Sequence, residues 1–371
     1  FLRHYGNGRT FVKPALMNFT GADLVAFFRK RGLELVEMAG GKIFPATQNA
    51  RDVLRVLTAG CGAAGVSMRF GEPVRRASAL EGVSGFEVSA ASASFAARTL
   101  VIATGGRSYP STGSSGDGYA FARSFGHAVA APSPALAPLI IERYAFSGCA
   151  GISLSGVRVS LLRDGKQVAA VVGDVLFTHR GLSGPAILDL SRHVRPGDVI
   201  ALAAAGFAST QEFERHVREA FSAHGRKSVK SILLATALPE RLAARVLSLN
   251  GIDGSLKASV VDRATRRRIA SAFMELSFAV ERTGGYNEAM ATAGGVSLPE
   301  INSATMESRL VKGLYFAGEV VDIDGDTGGY NLQWAFSSGK LAADAIARTI
   351  GGRRGPRNFA DRRTVAEGRD E

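Results

Sequence analysis

The 371-residue chain is 46% hydrophobic, carries a formal net charge of +12 and contains 44 glycines, two cysteines and six histidines. That length and apolar content suffice for two domains and a sizeable core, and the glycines suit an α/β protein with many tight loops. No apolar run reaches membrane-spanning length and the start shows no signal-peptide pattern, so a cytoplasmic protein with no membrane partner is expected. Cys61 and Cys149 form no CxxC, which argues against a dithiol relay and a disulfide framework. The histidines show no HExxH or paired Cys/His spacing, so no metal site is expected. The positive charge attracts anions in general, dinucleotide phosphates and RNA among them.

The chain begins at Phe1 with no opening strand and GxGxxG turn before it, and so reads as starting inside a gene product. Thr20 to Arg31 opens on a capping threonine and puts Leu24, Phe27 and Phe28 on one side, predicting a helix that stops at Gly32. Leu33 to Phe44 alternates around Gly40-Gly41, predicting a hairpin, and Asn49 to Ala64 reads as a second helix. Between Val66 and Ala103 the runs VSMRF, VRRASAL, FEVSA and SFAARTLVIA predict short strands. The last delivers LVIATGG, where Ala103, Thr104, Gly105 and Gly106 put bare backbone at a sheet's carboxyl edge. Asp117, between two glycines, heads a helix over Tyr119 to Phe125, and a helix-capping role comes first for it.

Pro132, Pro134 and Pro138 break the pattern and predict a domain crossing. Leu139 to Ala205 is β-rich (LIIE, SLSGVRVSLL, QVAAVV, VLFT, VIALAAA), with Asp164-Gly165 as a turn, predicting a small barrel or sandwich. Helices are predicted near 209–223, 228–236, 239–248 and 259–275. His179, between a strand end and a glycine turn, is positioned to donate a proton to a substrate. The favoured reading is that His179 and Ser183 simply satisfy backbone groups there, with Pro185 opening a helix. The sharpest basic run, RATRRR over Arg263 to Arg268, reads as a solvated helix face or as an RNA contact, and the tail from Arg353 as a disordered polar terminus.

The densest stretch is Gly313 to Gly339, GLYFAGEVVDIDGDTGGYNLQWAFSSG. Leu314 to Ala317 reads as a buried strand, Gly328-Gly329 as a turn, and Tyr330 to Thr349 as a helix. Strand, acidic glycine-rich loop and helix place a carboxylate and free amides at the carboxyl edge of a parallel sheet, where open α/β folds bind ligands. Glu319 and Asp322 would repel phosphate and suit sugar hydroxyls. A glycine-rich turn of this kind can also bind nothing.

GLYFAGE resembles the C-terminal FAD-contacting motif of two-dinucleotide-binding-domain flavoproteins, with Glu319 where aspartate is common. The longer string GEVVDIDGDTGGYNLQWAFSSG, together with GDVLFTHRGLSGPAIL and ATAGGVSLPEINSATMESRLVKGLYFAGE, is similar to the bacterial BaiN-type and aminoacetone-oxidase-type (YhiN-like) FAD-dependent oxidoreductases. The resemblance implies a Rossmann-like FAD-binding domain interrupted by an inserted domain. The expected division is 1–133 and 296–350 for the FAD-binding domain, 134–295 for a substrate or cap insertion with a β-barrel-like and a helical part, and 351–371 for a polar tail.

It further implies FAD contacts at Val74, Ala103, Thr104, Gly105, Gly106, Asp117, Gly318, Glu319, Asp322, Gly328, Gly329, Tyr330, Asn331 and Leu332. The family's opening GxGxxG unit and GGGRCN-like segment are not in these residues. The implied activity is hydride transfer between flavin N5 and a small organic substrate, with NAD(P)H as a candidate electron donor. The alternative is an RNA-interacting flavoprotein of the tRNA-modification type.

Overall fold

A computed structural model describes residues 1–38 and 40–351, so the expected tail beyond Gly351 lies outside the described residues. After a 3-10 stretch over Leu2–Gly8, helix α1 spans Arg9–Asn18; Pro14 inside it masks the pattern in the sequence. Helix α2 (Gly21–Arg29) opens on a capping box in which Asp23 N donates to the Thr20 hydroxyl and Thr20 N to the Asp23 carboxylate. The hairpin β1 (Leu35–Met38) and β2 (Lys42–Pro45) turns through Gly40 and Gly41, whose φ angles of 78° and 74° favour glycine. Helix α3 (Ala50–Ala63) is capped by Asn49.

Strands β3 (Val74–Ala79), β4 (Phe86–Ala90) and β5 (Ser94–Ala97) form an antiparallel sheet, followed by β6 (Leu100–Ile102). VSMRF, expected as a strand, is irregular: Val66, Met68 and Phe70 are exposed and the segment pairs with nothing among the described residues. Helix α4 spans Asp117–Ser124 and β7 spans Val129–Ala135. The prolines expected to break the pattern, Pro132 and Pro134, therefore lie inside a strand. Two residues apart, they turn the same edge of β7 outward, where a two-stranded ladder needs no donor.

The stretch expected as an insertion contains β8 (Leu139–Ile141), β9 (Ser153–Arg163), β10 (Lys166–Phe177), β11 (Gly181–Ser183), α5 (Pro185–Ser191) and β12 (Val199–Leu202). It continues with α6 (Thr210–Ala223), α7 (Val229–Leu234), α8 (Glu240–Leu249), α9 (Arg263–Met274) and β13 (Leu276–Thr283). Its strands close a barrel in the order β10-β11-β8-β13-β12-β9. QVAAVV and VLFT prove to be one strand, β10, with an irregularity between Gly173 and Val175. Barrel residues Val159, Phe177, Leu182 and Phe278 share one core with Phe213, Val246 and Phe273 of the helices.

Strand β14 (Ala291–Val296) returns antiparallel to β7, so the outbound and inbound crossings lie side by side. Strand β15 (Leu314–Phe316) then pairs in parallel with β6, residues 314–316 against 100–102, and α10 (Tyr330–Gly351) packs on this pair. The α/β class agrees with the sequence pattern. Its functional consequence is local: the turns leaving β6 and β15 emerge together from the carboxyl ends of neighbouring strands.

Candidate functional site

The turn after β6 is held by β14. Thr292 is fully buried; its Oγ1 accepts the N–H of Arg107 at 2.9 Å and of Ser108 at 3.1 Å, and its own N–H donates to Glu319 Oε1 at 2.6 Å. A Cβ on Gly106 would sit 2.7 Å from that carboxylate oxygen, so the two motif turns touch only because residue 106 is glycine. A Cβ on Gly118 would strike the Thr104 hydroxyl, which brings the start of α4 onto the same turn. Ala103, Thr104, Gly105, Gly106, Asp117, Gly318 and Glu319 thus form one neighbourhood. Ala103, Thr104 and Asp117 are exposed within it.

Asp117 corrects the capping expectation. The N-cap of α4 is Gly116, and no side chain caps the helix; Asp117 is its first residue, left open as an acid in the first turn.

Helix α10 lies against Gly318: Trp334 Nε1 donates to its carbonyl at 3.0 Å, and its N–H donates to Ser338 Oγ at 2.9 Å. The first turn of α10 starts four residues before Trp334, roughly 6 Å along the helix. Gly328 and Gly329 there are exposed with φ of 118° and 94°, and nothing lies within 4 Å of a Cβ placed on Gly329. Among the described residues the amides of Gly328, Gly329, Tyr330 and Asn331 have no acceptor. Such a bare glycine turn and helix start suits an electron-rich ligand group. Leu332 beside it is 67% exposed. Tyr330 stacks on His4 at 4.1 Å, and Asn331 closes the loop with Gly325 through two hydrogen bonds.

The acidic loop between these parts is braced from the insertion. Arg192, just after α5, contacts Asp324 and Asp326 at 3.2 Å each, and Thr327 N donates to Asp189 of α5 at 2.7 Å. The arginine contacts fall short of hydrogen-bond geometry, leaving Nε and Nη2 of Arg192 and Oδ2 of Asp324 buried without a partner. Burial pushes the carboxyls of Glu319, Asp322, Asp324 and Asp189 above the usual carboxylate range; the Thr292 bonds oppose it at Glu319, and Arg192 opposes it at Asp324. Neither Arg192 nor Thr292 stands out in the sequence, because each acts on a partner about 130 or 27 residues away.

Two expected residues lie elsewhere or act differently. Val74 opens β3 in the separate antiparallel sheet and is 37% exposed. His179 is exposed on the turn between β10 and β11, and the turn's backbone is satisfied by Thr178, whose hydroxyl takes the N–H of Gly181, not by His179. Its neighbour Arg180 pairs with Glu288 at 2.7 Å, drawing that turn to the loop before β14.

The same loop walls a cavity of about 300 Å³ lined by Arg107, Pro110, Ser114, Ser115, Tyr286 and Asn287. The Arg107 guanidinium stands 4.6 Å from the centre of the Tyr286 ring, with its stem laid over Gly116. No carboxylate pairs with it among the described residues, and its one charge-linked contact there is the Tyr286 ring. The cavity begins one residue after the glycine turn of β6.

Basic run RATRRR lies on α9 and is largely engaged within the protein. Arg266 and Arg268 donate to the carbonyls of Val261 and Asn250, and Arg267 pairs with Glu214. No group of metal-ligating side chains occurs among the described residues, and no helix there is long and apolar enough to cross a membrane.

The chain is 32% identical over 351 residues to the 3-dehydro-bile acid delta(4,6)-reductase of Clostridium scindens, covering 93% of this chain and 84% of that protein. It is 34% identical over 339 residues to the ribosomal RNA dihydrouridine synthase of Escherichia coli, covering 91% and 82%. The protein of that name from Haemophilus influenzae is 29% identical over 340 residues, again covering 91% and 82%. With the paired glycine turns, these relatives define an FAD-dependent oxidoreductase. Residues 1–345 match the HI0933-like protein Rossmann domain, and the chain belongs to that family.

Proposed function

We propose that this enzyme reduces a carbon–carbon double bond conjugated to a carbonyl, with NAD(P)H as the source of electrons. The observation that carries the reading is the parallel pairing of β6 and β15, which opens two glycine turns side by side at one sheet edge, next to the Arg107 cavity. Bound FAD would supply the hydride to one carbon of such a bond, and a proton from water would complete the other. Both activities named for the relatives fit one chemistry, since a dienone and a uracil ring each present a double bond conjugated to a carbonyl.

The amides of Gly328, Gly329, Tyr330 and Asn331 would hold the electron-rich edge of the cofactor, and Glu319 and Asp322 would accept hydrogen bonds from its sugar-like chain. Thr104 to Gly106 would contact it from the β6 side. Asp117, Gly318 and Leu332 would complete the contacts around these turns, while Val74, in the separate antiparallel sheet, would touch only a remote part of the cofactor. Arg107, braced on Tyr286, orients the substrate carbonyl and favours the negative charge that grows on its oxygen. Because Arg107 is held before substrate arrives, little reorganisation opposes that step.

For the substrate, a small conjugated ketone is the first reading. A uracil base in RNA is the second, favoured by the net charge of +12 and sequence pI near 10.1. The test is anaerobic: purified protein is mixed with NADH or NADPH while the flavin absorbance is followed, and then with a conjugated enone or a uridine-containing RNA. Bleaching by the nicotinamide followed by recovery with either acceptor supports the reading. Bleaching with no recovery from either acceptor removes the conjugated-bond chemistry, and turnover of an amine in air would replace it with an oxidase.

A further inference from the structure

We propose that the groove between α8 and the 3-10 turn Ser147–Cys149 binds backbone phosphate of RNA, at a site separate from the flavin region. The groove has a volume of about 540 Å³ and is lined by Ala145, Ser147, Gly148, Cys149, Arg241, Ala244, Arg245 and Ser248. Arg241, Ala244, Arg245 and Ser248 follow the three-and-four spacing that puts residues on one helix face. Two guanidinium groups therefore converge on one wall.

Both arginines are already held in place. Arg241 donates from Nη1 to Gly148 O at 2.9 Å and from Nη2 to Ala150 O at 3.4 Å, and Arg245 Nε donates to Ala145 O at 2.6 Å. These bonds leave most of the donors of each guanidinium unused. No carboxylate pairs with either arginine among the described residues. The acid at the head of α8, Glu240, is engaged by Lys230 at 2.6 Å. Ser147 and Ser248 are exposed, and their hydroxyls make no hydrogen bond among the described residues. Cys149 contributes no charge, since burial pushes its thiol above the usual range despite the two arginines.

A cluster of fixed cations, free hydroxyls and no internal counter-ion fits an oxyanion with several acceptors, which a phosphate is. Its rim residues Ser147, Arg241, Ala244 and Ser248 are exposed, so the groove is accessible to a phosphate carried on a longer chain. The net charge of +12 would draw such a polyanion to the protein. The inference rests on the second substrate reading above, and it assigns RNA to a surface other than the α9 run.

The test places a carboxylate in the groove without touching the arginine bonds. Ala244 is exposed in mid-helix, so Ala244→Glu keeps α8 intact, and Ala244→Gln controls for size. Binding of a fluorescein-labelled RNA oligomer is measured by anisotropy across a salt series, alongside the thermal midpoint with and without inorganic phosphate. The site predicts that Ala244→Glu weakens RNA binding about tenfold at low salt and lowers the slope of log affinity on log salt by about one, while Ala244→Gln matches the wild type. Equal binding and slope in all three proteins would overturn the site and leave the RNA reading standing. No RNA binding by the wild type at low salt would overturn both. A midpoint raised by phosphate in the wild type alone, with RNA affinity unchanged in Ala244→Glu, would mean a small-anion pocket and overturn the assignment to RNA.

Discussion

Thr292 N donates to Glu319 Oε1 at 2.6 Å, and this bond joins the strand returning from the barrel to the loop that follows β15. The Thr292 hydroxyl meanwhile holds the turn after β6 through the amides of Arg107 and Ser108. One residue thus sets the spacing of the two glycine turns.

Replacing Thr292 by valine keeps the shape and removes the acceptor of two N–H groups. A loss of about 2 kcal/mol or more in stability is expected, since each unsatisfied buried donor costs about 1–3 kcal/mol. Thr292→Ser, which keeps the hydroxyl, should recover most of it. Denaturant unfolding curves of the three proteins check this, and equal midpoints for valine and wild type would remove Thr292 from its bracing role.

Arg192 stands between Asp324 and Asp326, with side-chain exposures of only 13% for the arginine and 19% for Asp324. Truncating one partner of such a pair leaves the other charge nearly uncompensated. Arg192→Leu should therefore destabilise by about 3 kcal/mol, and adding Asp324→Asn should restore part of the loss. A double variant no more stable than Arg192→Leu would show that the two do not couple.

The pH dependence follows from the raised carboxyls. Burial lifts Asp324 above its ordinary value of 3.8, so the folded protein holds that proton more tightly than the unfolded chain does. The stability this gives is complete below 3.8 and is lost as pH rises through the higher folded value. In Asp324→Asn that part of the decline should vanish, and the variant should gain on the wild type toward neutral pH. Urea unfolding at a series of pH values reads it; parallel profiles would contradict the assignment.

Arg266 donates to a carbonyl within its own helix entry, far in sequence from either glycine turn. Arg266→Ala should leave flavin content unchanged, whereas Glu319→Ala should lower it. Flavin-to-protein absorbance ratios of the purified variants decide between them.

Much of this was legible in residue order because the signals were local. Helices α6 to α9 announce themselves by caps such as Ser209, Ser228 and Asp262 and by regular apolar spacing. The β15 to α10 unit is equally plain, since Gly328 and Gly329 need their positive φ where they stand. Closure of the barrel was not legible, because β8 and β13 meet across the whole insertion. VSMRF shows the opposite error: a strand pattern predicts a strand only where a partner exists, and no described strand lies beside it. The bracing by Thr292, Asp189 and Arg192 escaped for the same physical reason. Long-range hydrogen bonds leave no periodic trace in the chain.

The most direct measurement is an FAD titration of the purified protein beside Gly329→Val, followed by flavin absorbance and fluorescence quenching. Residue 329 holds φ at 94° with open space around it, so a β-branched side chain strains the turn and crowds the amides of the helix start. The account predicts a yellow wild type with saturable FAD binding and a several-fold loss of affinity in Gly329→Val, with folding retained by circular dichroism. A wild type with no affinity for FAD, or a Gly329→Val protein with full occupancy, would contradict it.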